Sequence, residues 1–100
     1  MPSVNKRVME VRTRIGCVSK LLVISPHALD RISQRFGWNR REIQEMAKEV
    51  CRIYHKQHFG AKAEISLMNS VWVVKRVGKG AAMVKTVMPD STNYAMREFL

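Results

Sequence analysis

Pro26 and Gly37 mark the two ends of a helix and constrain this chain more than any other pair of residues. Proline has a fixed φ and no amide hydrogen, so it suits a first helical turn. Glycine adopts the left-handed conformation that stops a helix. Between them Leu29, Ile32 and Phe36 recur at helical spacing, and Ser25 stands where a side-chain oxygen caps the first free amides. The spacing predicts a helix over 26–36. Just before it, Leu21-Leu22-Val23-Ile24 is too short for a helix and reads as a buried strand.

The next segment repeats the logic. Asn39 can cap a helix that starts at Arg40 and ends between His55 and Gly60. Ile43, Met46, Ala47, Val50, Ile53 and Tyr54 form its apolar face. Arg41, Glu42, Glu45, Lys48, Glu49 and Arg52 form the other. From there the pattern changes to a period of two. Ile65 and Leu67 alternate with polar neighbours, Asn69-Ser70 reads as a turn, and strands are expected at 71–77 and 81–88. Gly78-Lys79-Gly80 joins them as a hairpin loop. If Val77 pairs with Ala81, then Arg76 faces Ala82 and Trp72 faces Thr86. One face then carries Trp72, Val74, Arg76, Ala82, Val84, Thr86 and Met88; the other carries Val71, Val73, Lys75, Val77, Ala81, Met83, Lys85 and Val87.

Residues 9–17 fit two templates. Met9, Val11, Thr13, Ile15 and Cys17 alternate like a strand, whereas Val4, Val8, Val11 and Ile15 make a helical stripe. The whole reads as one α+β domain over 1–100, two helices packed on a three- to four-stranded antiparallel sheet. Residues 1–8 form a basic arm and 92–100 a tail that is a short helix or loose.

Charge decides which partners to consider. The chain has 18 Lys+Arg against 8 Asp+Glu, a formal net charge of +10. That excess favours polyanions: nucleic acid first, RNA or DNA alike, an acidic protein second and an anionic membrane third. No stretch approaches a membrane span, and Met1 to Val23 contains no apolar run of signal length. Cys17 and Cys51, widely spaced, fit a reducing cytoplasmic setting and leave a single disulfide open. Cys51, His55 and His58 lack an evident fourth ligand, so no metal is expected. No cofactor is expected either. Gly78-Lys79-Gly80 lacks the length and the following helix of a phosphate loop.

On the first helix His27, Arg31 and Arg35 recur every four residues and line one side. A first-turn histidine suits a general base, and two arginines suit a phosphate. The same row is also what a solvated helix face looks like. The segment from Ser25 to Gly37, with its serine, its His27-Ala28 pair and its two arginines four apart, resembles a helix of small ribonuclease-toxin domains of the barnase/EndoU/colicin/RelE-like group. In that group two helices precede an antiparallel sheet, and a late strand ends in a Val-Thr-Val tripeptide. Lys85-Thr86-Val87 stands in that place here. The resemblance covers residues 24–88. It implies His27, Arg31, Arg35 and Thr86 as active-site positions, a metal-independent endoribonuclease activity and an antitoxin partner.

A rival reading takes Leu29 to Lys48 as a helix-turn-helix followed by a wing. Arg40, Arg41 and Gln44 would then reach base edges in DNA. A basic inhibitor of an acidic host protein is a further reading. Lys75, Arg76, Lys79 and Lys85 make the hairpin a basic finger suited to backbone phosphates. Trp38 or Trp72 could stack an unpaired base, or Trp38 could pin the turn. His55 is a candidate general acid, although a frayed, exposed helix end would look the same.

Overall fold

Residues 8–57 and 60–90 are described in the computed structural model. The order is β1 (Met9–Ile15), β2 (Val18–Ile24), α1 (Pro26–Arg35), α2 (Arg40–Lys56), β3 (Lys62–Leu67), β4 (Ser70–Gly78) and β5 (Ala81–Pro89). The basic arm expected over 1–8 lies, apart from Val8, outside the described residues; so do the tail at 92–100 and His58.

The ambiguous N-terminal segment is a strand. Met9, Val11 and Thr13 are buried while Glu10, Arg12 and Arg14 are exposed. That is the two-residue period of a half-buried strand. A tight turn at Gly16, with φ +66°, sends the chain back as β2, with Ile15 opposite Val18. The hairpin therefore extends the sheet and does not cover its face.

The fold is α+β with two helices, as the sequence implies, but the sheet has five strands in the order β1-β2-β5-β4-β3 and is mixed. β2 and β5 run parallel, with Leu21 opposite Ala81 and Ile24 opposite Val84. The expected all-antiparallel sheet of three or four strands omits this pairing. The two helices carry the chain from the end of β2 to the far edge, where β3 starts a meander that returns to β2's open side. A long crossover of that kind is what allows parallel neighbours.

Both helices lie on one face. α1 packs on β5, and α2 lies against β1, β2 and β3. Ile32, Val50, Leu22, Ile24, Trp72, Val74, Val84 and Val87 are fully buried between the layers. Ser25 caps α1, and Asn39 with Glu42 forms a capping box on α2. Gly37, with φ +68°, accepts the left-handed turn between them.

One strand assignment changes. Arg76 does pair with Ala82, but Trp72 pairs with Val87 and Val73 with Thr86. Between Val74↔Val84 and Val73↔Thr86, β5 advances two residues while β4 advances one. Lys85 is the extra residue of a β-bulge. A second irregularity at Val77 places Gly78, not Val77, opposite Ala81. Val87 therefore joins the core, and Thr86 shares the outer face with Val73.

Candidate functional site

α1 owes its position to Ser25. Its backbone amide donates to the Val84 carbonyl at 3.2 Å, and its hydroxyl accepts from the Ala28 amide at 3.1 Å. The same hydroxyl donates to the Lys85 carbonyl at 3.3 Å, which ties the start of α1 to the bulge in β5. The stripe of Ala28 and Ile32 then turns inward, and the row of His27, Arg31 and Arg35 turns outward.

Two of the row residues are linked along the helix. Arg31 Nε donates to His27 Nε2 at 3.4 Å, and Arg31 Nη1 donates to Gln34 Oε1 at 3.5 Å. A guanidinium nitrogen only donates, so His27 Nε2 here presents its lone pair. Arg35 reaches across to β5, where its Nη1 donates to the Val87 carbonyl at 3.3 Å. α1 has no acidic residue in its first turn, so its own carboxylates do not offset the positive end of its dipole.

Thr86 does not join this row. α1 sits on the face that buries Val84 and Val87, and Thr86 occupies the other face, opposite Val73. The sequence registers Thr86 with Trp72 because it contains no sign of the bulge at Lys85.

The basic residues of the hairpin part company by alternation. Lys75 and Lys85 line a hollow on the outer face with Ala61, Lys62 and Val73. Arg76 and Lys79 line a different hollow at the hairpin tip, with Lys20, Tyr54, His55, Gly78 and Gly80. Arg40 and Arg41 are exposed in the first turn of α2. Trp38 stacks on Phe36 with ring centroids 4.3 Å apart and lies nearly parallel to Trp72 at 6.4 Å. It pins the turn between the helices to the core. Trp72 is 0% exposed and offers no platform to a base.

His55 is not a frayed end. It is half-buried in the last turn of α2, edge-on to the Tyr54 ring at 5.1 Å. Its Nε2 is buried and meets no hydrogen-bond partner among the described residues. Burial first, then Lys20 and Arg76, lowers its pKa below that of an ordinary imidazole. It sits beside Lys20 at the start of β2, whereas His27 follows the end of that strand. Lys20 and Ser25 are separated by about 16 Å of extended chain. His55 is therefore not the partner acid of His27. Lys20 had no signal in the sequence. The parallel register of β2 on β5 brings it to the hairpin tip, where the Leu21 amide donates to the Gly80 carbonyl at 3.0 Å.

Cys17 is exposed and Cys51 buried, and both are free thiols. No described group of three or more His, Cys, Asp or Glu side chains is placed to hold a metal ion. No described helix is long and apolar enough to cross a membrane. No family model, curated protein or solved structure matches the chain.

Proposed function

We propose that the protein binds RNA and cleaves it without a metal, as the resemblance of its first helix to ribonuclease-toxin domains implies. The observation that carries this reading is the outward row of His27, Arg31 and Arg35, with Arg31 held on His27 Nε2. In the reaction, His27 takes the proton of a ribose 2′-hydroxyl. The freed oxygen attacks the adjacent phosphorus, and the bond to the 5′-oxygen breaks. That leaving oxygen takes a proton from water. The products are a 2′,3′-cyclic phosphate and a 5′-hydroxyl. Arg31 and Arg35 neutralise the charge that grows on the phosphorane.

The bond between Arg31 and His27 gives this scheme an order of events. Without substrate, Arg31 occupies the nitrogen that must act as base. A phosphate draws the guanidinium into a charge-assisted bond, which is stronger than the one to a neutral imidazole, and so frees Nε2. The scheme gives no role to Thr86 or His55.

Purified protein should cleave single-stranded RNA in EDTA and leave DNA intact, since DNA lacks the nucleophile. His27→Ala should lose roughly 10²–10⁴-fold in rate, the usual contribution of a general base, while still binding RNA. Arg31→Ala should lower the rate more than the affinity. An unchanged rate for His27→Ala removes that residue from the mechanism. Binding without cleavage across several RNAs leaves a non-catalytic binder, and protection of a defined duplex site instead points to the helix-turn-helix alternative.

A further inference from the structure

The hollow at the hairpin tip has the character of a site that the row on α1 does not use. Three parts of the chain that are distant in sequence converge there: Lys20 from β2, Tyr54 and His55 from the end of α2, and Arg76, Gly78, Lys79 and Gly80 from the β4–β5 hairpin. No described carboxylate lines it. Its volume is about 210 Å³, below the roughly 300–1,000 Å³ of pockets that hold drug-sized ligands. Gly80, with φ +66°, turns the hairpin so that the Lys20 ammonium lies over it, 3.7 Å from where a Cβ would stand. His55 lines the hollow, and its buried Nε2 has no hydrogen-bond partner among the described residues.

We propose that this hollow binds one tetrahedral oxyanion of the phosphate class, either a chain phosphate of RNA or a terminal or free phosphomonoester. Lys20 and Lys79 supply the charge, and the hollow has ample room for one such group. The site is independent of the chemistry assigned to His27.

The binding is coupled to a proton. The described groups around the imidazole are Lys20 on β2, Arg76 on β4, Lys79 in the turn and Tyr54 beside it on α2. Without ligand, burial and then Lys20 and Arg76 disfavour the protonated form of His55 and lower its pKa. An oxyanion in the hollow offsets Lys20 and Arg76 and gives a protonated imidazole an acceptor. Affinity should therefore rise as pH falls through the imidazole range.

Calorimetric titration of the full chain with sulfate, which stays doubly charged, tests this. Lys79→Gln, in an exposed turn, and Lys20→Gln should each weaken sulfate roughly tenfold, the effect of one charge-assisted contact. Arg12→Gln removes the same charge from β1's exposed face and should change little. Binding to the unaltered chain should tighten from about pH 7.5 to about pH 5.5, and His55→Gln should abolish that tightening. Equal losses for Arg12→Gln and Lys79→Gln would mean diffuse attraction and overturn the site. So would a pH response that survives His55→Gln. Short RNAs with and without a 5′-phosphate separate the sources. If Lys79→Gln weakens both alike, the ligand is a chain phosphate; if it weakens only the phosphorylated one, the ligand is a terminal phosphomonoester. Sulfate binding with no RNA cleavage leaves this site standing and removes the ribonuclease reading.

Discussion

A single hydroxyl, that of Ser70, closes the hydrogen bonding around the largest fully buried ring. Trp72 Nε1 donates to Ser70 Oγ at 3.0 Å, and that hydroxyl in turn donates to the Leu67 carbonyl. Both Ser70 and Trp72 are 0% exposed. Ser70→Ala leaves a buried indole donor without a partner. It should cost about 1–3 kcal/mol, read as a lower urea midpoint at an unchanged slope. A loss well under that range would mean that water enters and replaces the hydroxyl. From the sequence, Ser70 is only half of a turn, because its burial depends on Trp72 two residues later facing the helices. Arg31 teaches the same lesson in reverse. Its spacing from His27 is local, so the sequence alone puts the two on one side of α1, where they do make contact.

Among the elements, α2 is the most firmly specified from within. Asn39 Oδ1 accepts from the Glu42 amide, and Glu42 Oε1 accepts from the Asn39 amide, each at 2.8 Å. Asn39→Ala breaks one bond of the pair and should cost about 1 kcal/mol. Arg41→Ala, exposed two residues on, should stay within about 0.5 kcal/mol of the unaltered chain. Equal destabilisation by both would mean that the turn's stability comes from its charges and not from the cap. β5 is the opposite case. Its apolar run is plain in the sequence, yet the bulge at Lys85 is not, because one extra residue in a strand leaves composition and length unremarkable. The bulge decides that Val87 is core and Thr86 is not. It also presents the Lys85 carbonyl to Ser25, which fixes where α1 starts.

At the scale of the whole molecule, charge is unevenly placed. The end of α2, the β1–β2 turn and the β4–β5 turn gather Arg14, Arg52 and Lys56 around one hollow and Lys20, Arg76 and Lys79 around another. The cations at the end of α2 also suit the negative pole of its dipole. With a formal net charge of +10, affinity for single-stranded RNA should fall linearly on a log–log plot against salt, by about 0.7 per neutralised phosphate. Lys79→Gln should flatten that slope by about the same amount. Filter binding at several salt concentrations checks both. Affinity that ignores salt would discard RNA and DNA together and favour an acidic protein partner recognised by shape.

Both helices, their caps, the glycine between them, the β4–β5 hairpin and the row on α1 follow from causes that lie within a few residues of chain. The excess of positive charge is a matter of composition alone. Tertiary structure decided what depends on partners distant in the chain. The N-terminal segment became a strand because β2 offers it an edge. β2 and β5 became parallel neighbours because the helices carry the chain across one face between them. Thr86 left the helix-covered face because β5 bulges against β4. Lys20 reached the hairpin tip only through that parallel register, and His55 joined it because α2 packs on β2; no local pattern encodes which two strands will lie side by side.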